Sequence, residues 1–231
     1  MAKSELIKDL ARNKIDLESA LKQLKLLLID LNKKELVNWV DYELQGYPDD
    51  VELPTYRLYS GSLKGTFLNY HTQCSNVPIP LKSDTPEVIK EYTEKVQFRE
   101  SISSLKRLQS AEGRVQLSIP GNLLPSIQGC AAVSMTYLMS ACIEVSDITV
   151  TEIISTVENK ILDIFIALED EFGVLDDLDI DLSNSKDRDI KKTQQIIYNI
   201  IYDNHIEIGN NNKIKNSTFN SKIRKETDSD S

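Results

Sequence analysis

Histidine and cysteine, which often serve as general base and nucleophile, are scarce in this sequence. The two histidines are His71 and His205, and the three cysteines are Cys74, Cys130 and Cys142. Any Cys–His or Ser–His–Asp centre would have to use one of these histidines. His71 and Cys74 are three residues apart in a segment predicted to be extended, which separates their side chains unless a turn intervenes. We interpret them as a hairpin-end histidine and a buried cysteine, and we assign no catalytic residue.

Alternating carboxylates between residues 176 and 181 could begin a calcium-binding loop. The EF-hand pattern requires Gly at its sixth position and Glu at its twelfth. Counted from Asp177, these positions hold Leu182 and Arg188. The run is therefore interpreted as an acidic, solvated linker, and the sequence predicts neither a metal site nor a cofactor.

Aromatic side chains close to two arginines form a third candidate, a surface that could bind a partner. The candidate residues are Trp39, Tyr47, Tyr56, Arg57 and Arg99. Such groups are common at protein contacts and can stack on nucleic-acid bases. Aromatic residues at a helix–strand junction are, however, more often part of the core. Either arginine could also form a partly buried ion pair, with Glu43 or Glu52 as its partner.

The composition restricts the class of function. The 231 residues include 27 Lys and Arg against 36 Asp and Glu, a formal net charge of −9. Nucleic acids and anionic membranes attract basic surfaces, so we expect neither to be the main partner. An odd number of cysteines without a CxxC motif favours reduced thiols. The N-terminal segment lacks the apolar stretch of a signal peptide, and we expect a cytoplasmic protein.

Hydrophobic periodicity predicts a helical N-terminal region. A short helix is predicted over 4–12, followed by an amphipathic helix capped by Asp16. A third helix is predicted to end at Gly46, just before Pro48. Leucines recur on one face of the second helix, so we expect a helical hairpin held by a leucine seam.

Alternating apolar residues predict a small antiparallel sheet in the middle of the chain. The predicted strands are 53–59, 63–70, 115–120 and 131–143, the last of which could also be a helix. The prolines of 77–80 exclude a central strand there. Two long helices are also predicted, one from Pro86 to Leu108 and one over 148–172. The prediction for residues 1–173 is a globular α+β domain.

The composition changes after Gly173. Residues 174–192 are acidic and polar and are predicted to be a linker. Residues 193–220 are rich in Ile and Asn and are predicted to be a β tail, although isoleucines four residues apart also suit a helix. Residues 221–231 are expected to be disordered. The predicted fold class is α+β, with an N-terminal helical hairpin, a small antiparallel sheet, long packed helices and a β-rich C-terminal tail.

The predicted tail suggests self-assembly. An unpaired strand invites pairing with another chain, and Asn and Ile rows stabilise the stacking of identical segments. We therefore expect a homo-oligomer. The alternatives are an edge strand folded back on the domain, or a tail without structure.

Short motifs spread along the chain are the basis of a family resemblance. They are Glu43-Leu44, Gly46-Tyr47-Pro48, Leu53-Pro54, Tyr56-Arg57, Gly61, Gly65, the segment 77–81, Arg99, Ser101-Ile102 and LEDEFG in the last long helix. Together they resemble the AbiTii domain family of bacterial abortive-infection proteins, over about residues 4–173. The resemblance implies a role in phage defence. It supplies no catalytic motif, and it does not cover the small apolar segment 131–137.

The function expected from the resemblance and the tail is that of an interaction protein. We expect a non-enzymatic component of an abortive-infection system that senses or contacts a partner, such as a cognate defence protein encoded nearby. The alternatives are an enzymatic toxin, such as a nuclease, and an acidic antitoxin-type partner of a basic toxin. The sequence leaves open whether the protein is an enzyme.

Overall fold

The computed structural model describes residues 3–110, 115–180, 182 and 187–203, which contain eight α-helices and two antiparallel sheets. The helices are α1 (Glu5–Ala11), α2 (Leu17–Asp30), α3 (Lys34–Gln45), α4 (Glu87–Glu94), α5 (Ile102–Ser110), α6 (Leu124–Cys130), α7 (Asp147–Phe172) and α8 (Asp187–Tyr202). The strands are β1 (Leu58–Ser60), β2 (Ser62–Asn69), β3 (Thr72–Pro78), β4 (Lys95–Gln97), β5 (Val115–Ser118) and β6 (Tyr137–Val145). The predicted α+β class is confirmed.

The N-terminal helices begin and end where their capping residues predict. The Asp16 carboxylate accepts hydrogen bonds from the backbone N–H of Glu18 at 3.0 Å and of Ser19 at 3.1 Å, which caps α2. Gly46 ends α3 at a φ of +100°, a conformation that favours glycine. Helix α2 packs on α3 through its leucines, which confirms the helical hairpin.

The larger sheet has the strand order β3-β2-β6-β5 with antiparallel neighbours. Its inner face contributes Leu63, Phe67, Leu138 and Ile143 to the core that also contains α7. Strand β3 is an edge strand and ends at Pro78, as expected for a segment whose prolines lack a donor. Strands β1 and β4 form a separate two-stranded sheet.

Gly65 of β2 occupies a position where a side chain does not fit, and replacing it with alanine is expected to destabilise the protein. A Cβ at Gly65 would lie 2.9 Å from the carbonyl oxygen of Ser140 and 2.6 Å from Cδ1 of Ile79. Overpacking of this kind costs about 1–3 kcal/mol in free energy of unfolding, which urea titration measures. Gly129→Ala in α6 is the control, because no atom lies within 4 Å of its added Cβ. A Gly65→Ala variant as stable as the parent would contradict this packing.

The predicted helix from Pro86 to Leu108 is wrong, because the chain forms α4, β4 and α5 over this range. Val96 pairs with Tyr59 of β1, and its side chain is buried. Phe98, two residues later, is buried as well, which is the spacing of a strand. Cross-strand pairing and burial here override the helical pattern. The predicted strand 53–59 is also wrong for the most part, because Thr55–Arg57 form a 3₁₀ turn and only the last two residues belong to β1.

The first part of the predicted β tail is helical. Residues 193–202 belong to α8, and Ile197 and Ile201 are fully buried where α8 packs against α7. The four-residue spacing of these isoleucines places them on one helical face, and burial of that face on α7 decides for the helix. Residues 204–220 and 221–231, for which a β tail and disorder are predicted, lie outside the described residues.

The predicted linker is partly packed against the folded body. Leu175 and Ile180 are buried. The Asp176 carboxylate accepts a hydrogen bond from the backbone N–H of Leu6 at 3.3 Å, and the backbone N–H of Ile180 donates to Asp30 at 3.3 Å. These residues cover the N-terminal helices, because their alternate apolar side chains face inward while most of the intervening aspartates are exposed.

Candidate functional site

Helix α3 and the turn after it position most of the predicted partner-binding residues. Trp39 and Glu43 are four residues apart on α3, so their side chains leave the same face of the helix. The chain reverses at Gly46, and Tyr47 folds back so that its hydroxyl reaches Glu43. The 3₁₀ turn Thr55–Arg57 supplies the remaining two side chains from the opposite side.

The carboxylate of Glu43 is the centre of this cluster. Its Oε1 accepts hydrogen bonds from the hydroxyls of Tyr47 at 2.6 Å and Tyr56 at 2.7 Å. Its Oε2 accepts one from Nη2 of Arg57 at 2.5 Å. The indole N–H of Trp39 donates to the Tyr56 hydroxyl at 2.8 Å. We name these five residues the Glu43 network.

Arg57 extends the Glu43 network to the segment between β4 and α5. Its Nη1 donates to the carbonyl oxygens of Phe98 at 2.9 Å and Glu100 at 2.6 Å. Its guanidinium carbon lies 4.9 Å from the centre of the Tyr47 ring, within the range of a cation–π interaction. Arg57 therefore joins the 3₁₀ turn, α3 and the β4–α5 segment at one point.

Burial and the charge on Glu43 set the ionisation of the Glu43 network. Burial raises the pKa values of Tyr47 and Tyr56, and the negative charge of Glu43 raises them further, so both hydroxyls keep their protons and donate. Burial alone would lower the pKa of Arg57, but the adjacent Glu43 raises it, and the net shift is upward. The Glu43–Arg57 contact is therefore a charged pair.

The Glu43 network is closed to solvent, which limits what it can do chemically. The side chains of Glu43 and Arg57 are 0% exposed, and those of Trp39, Tyr47 and Tyr56 are buried. A general base needs hydrogen-bond reach to a substrate proton, and here both carboxylate oxygens are already occupied. The arrangement holds core elements together. This agrees with the alternative that aromatic residues at a helix–strand junction belong to the core. A direct partner contact through these side chains stays a prediction, and this burial does not favour it.

Arg99 is separate from the Glu43 network and secures a neighbouring loop. It lies between β4 and α5, not on a helix as its spacing from Val96 suggested. Its Nη1 donates to the carbonyl oxygens of Pro48 at 2.5 Å and Val51 at 3.0 Å. The backbone N–H of Tyr47 donates to the Arg99 carbonyl at 2.8 Å. Arg99 therefore fixes the loop that follows α3, and it is the only one of the five predicted residues that is not buried.

Lys160 of α7 is a further member of this region that the sequence did not single out. Its Nζ lies 5.2 Å from the centre of the Tyr56 ring and donates to Asp203 at 2.6 Å and to the carbonyl oxygen of Ile200 at 2.5 Å. The C-terminal end of α8 is thereby attached to α7 beside the Glu43 network. The signal in the sequence is a lysine next to Ile161, on the apolar side of a long helix.

Two surface concavities lie away from the Glu43 network. One, of about 290 Å³, is lined by Glu5, Leu6, Asp9, Ile15, Gln23, Asp176 and Leu178. The other, of about 610 Å³, lies beside α6 and is lined by Lys82, Gly121, Leu124, Pro125, Gln128, Gly129, Ala131, Val133, Ser134, Met135, Tyr137 and Leu138. We name the second one the α6 groove. Its lining includes most of the segment 131–137, which the motif resemblance does not cover.

His205 lies outside the described residues, and the described residues that the sequence analysis considered for chemistry do not meet in a site. His71 is exposed at the turn between β2 and β3, and Cys74 is half-buried in β3. Within the described ranges, no three His, Cys, Asp or Glu side chains are grouped so that they could hold a metal ion. None of the described helices is both long enough and apolar enough to cross a lipid bilayer.

Comparison with known proteins gives one match. No curated protein and no solved structure matches the chain. The model of the AbiTii family matches residues 3–195, which extends past α7 and into α8. Because this match covers well over half of the sequence, the chain belongs to the AbiTii family.

Proposed function

We propose that this chain is a non-enzymatic sensing or interaction component of a bacterial abortive-infection system, and that it self-associates through the segment after α8. The AbiTii family suggests a role in abortive-infection defence against phage. The match over residues 3–195 is the observation that carries the defence role in this proposal. The closed Glu43 network supports an interaction role, because its ionisable groups are engaged in holding the fold.

The position of α8 supports self-association through the residues that follow it. Lys160 and Thr55 hold Asp203 at 2.6 Å and 3.4 Å, which fixes the residue after α8 on the folded body. The sequence that follows has Ile206, Ile208 and Ile214 among asparagines, a composition that favours pairing between identical segments. The net charge of −9 also suits the alternative of an acidic partner for a basic toxin.

Phage challenge of bacteria that carry this chain with its neighbouring genes tests the defence role. We expect fewer plaques than on bacteria without them, and early death or growth arrest of infected cells. The same genes with a stop codon early in this chain are the control. Equal plating with and without the intact chain would contradict the proposal.

Ending the chain after Asp203 tests self-association through the last segment. This end point keeps α8 and the Lys160–Asp203 contact, whereas ending after residue 192 would remove buried residues of α8. We expect light scattering to give fewer copies per particle for the shortened chain than for the full chain. The same number of copies per particle in both would mean that residues 204–231 do not mediate association.

A further inference from the structure

Three large apolar side chains are exposed at one end of the larger sheet. Tyr137 and Met139 of β6 are 60% and 46% exposed, and Tyr70, in the turn after β2, is 81% exposed. The backbone N–H of Tyr70 donates to the Thr136 hydroxyl at 3.0 Å, which holds this turn beside the start of β6. We name the surface of Tyr70, Tyr137 and Met139 the β6 face.

A β-bulge increases the apolar surface of the β6 face. Leu138 pairs with Phe67 and Ser140 pairs with Thr66, so Met139 is an extra residue in β6. Both Met139 and Ser140 are exposed, whereas in a regular strand one of two successive residues would face the core. The bulge therefore turns one more side chain outward than regular pairing would.

The backbone at Tyr70 indicates that stability alone does not explain this residue. Tyr70 has a φ of +55°, in the left-handed region where a bulky side chain is strained and glycine is not. A side chain that is 81% exposed adds little to the core. An aromatic residue at this position therefore costs stability, and strain of this kind concentrates at functional positions.

Charge indicates which partner suits the β6 face. The chain carries a net charge of −9, so two copies repel each other across most orientations. Residues 121–143, which include β6 up to Ile143, contain no charged residue in a chain that is 27% charged. On the adjoining outer side of the sheet, Lys64 and Glu144 pair with each other at 2.6 Å. Two copies with the same negative net charge repel each other least when they associate through an uncharged surface. A basic partner would instead bind an acidic surface.

We propose that the β6 face is an interface through which two copies of this chain associate. Contact between copies would cover the three exposed side chains of each. Tyr137 also lines the α6 groove of about 610 Å³, which offers a recess for an aromatic side chain of the second copy. An isologous contact of this kind uses the same surface on both copies and closes as a dimer. The inference concerns the folded body and is independent of self-association through residues 204–231.

Sedimentation velocity of the full chain at a series of concentrations tests the β6 face. Tyr137→Glu and Met139→Glu each place one carboxylate per copy in the interface, so we expect either to raise the concentration at half-association more than tenfold. Tyr70→Gly is expected to weaken association as well, while raising Tm because it removes the strained backbone. Weaker association in a more stable protein is a result that a merely structural role of Tyr70 would not produce.

Val88→Glu is the matched control, because Val88 is 77% exposed and belongs to α4, which contributes no residue to the β6 face. We expect this variant to associate like the parent. Circular dichroism verifies that each variant is folded, and Met139→Glu replaces Tyr137→Glu if the latter is not. A full chain that is monomeric at about 100 μM, or glutamate variants that associate like Val88→Glu, would overturn the proposal. Neither result tests the defence role. If association is lost only when the chain is ended after Asp203, the interface lies in residues 204–231 instead.

Discussion

Replacing Glu43 with alanine is expected to lower the free energy of unfolding by about 3–5 kcal/mol. The substitution leaves the Arg57 guanidinium buried without its carboxylate, and it removes the acceptor of the Tyr47 and Tyr56 hydroxyls. A loss of this size is a large part of the stability of a typical domain, about 5–15 kcal/mol. Urea titration followed by tryptophan fluorescence measures it, because Trp39 lies in the Glu43 network.

Three further variants separate the charge of Glu43 from its other contributions. Glu35→Ala, on the exposed side of the same helix, is the control and is expected to change stability by less than about 0.5 kcal/mol. Glu43→Gln keeps oxygen and loses charge, so its effect should lie between those of Glu35→Ala and Glu43→Ala. The double variant Glu43→Leu with Arg57→Met should be more stable than Glu43→Ala, because it leaves no unpaired buried charge. Equal stability of Glu43→Ala and Glu35→Ala would contradict the importance of the Glu43 network.

Ending the chain after residue 192 is expected to cost about 5 kcal/mol or more, the second large effect. The shortened chain lacks Ile197 and Ile201, which are fully buried, and it uncovers the face of α7 against which they pack. Removing a single buried isoleucine side chain to alanine typically costs about 2–5 kcal/mol. Thermal unfolding monitored by circular dichroism should give a much lower Tm, or no cooperative transition.

Two controls identify packing by α8 as the cause of that loss. Ending the chain after Asp203 retains α8 and should leave Tm close to that of the full chain. Ile197→Ala should destabilise the full chain, whereas Ile148→Ala, at an exposed position of α7, should have little effect. If both shortened chains had the same Tm, residues 193–202 would not belong to the folded body.

The elements that local patterns specify were predictable from the sequence. Asp16 as a helix cap, Gly46 as a helix end and the long apolar stripe of α7 each act within a few residues of the chain. The helix predicted from Pro86 was wrong, because Val96 pairs with Tyr59 in a sheet and the Phe98 ring packs against the Tyr59 ring. Tyr59 is far away from both in sequence. Pairing over such a distance leaves no trace in local periodicity.

The sequence predicted which residues form the candidate site, but it did not predict that they are buried. The sequence brings Trp39, Tyr47, Tyr56 and Arg57 forward as a group, and it offers Glu43 as an ion-pair partner. Whether this group faces solvent depends on elements that pack over it from elsewhere, such as the segment at Phe98 that accepts hydrogen bonds from Arg57. The outward turn of Met139 likewise depends on a bulge defined by pairing with β2.

The sequence by itself determined the α+β class, the helical hairpin, the edge position of the proline-containing strand and the family motifs, because these features rest on local propensity and short patterns. The tertiary structure alone decided that the Glu43 network is closed, that residues 193–202 form a helix on α7, and that the β6 face is exposed. The physical reason is that burial is a property of distant surfaces in contact. An isoleucine pattern that suits both a strand and a helix becomes a helix when α7 offers the matching apolar face.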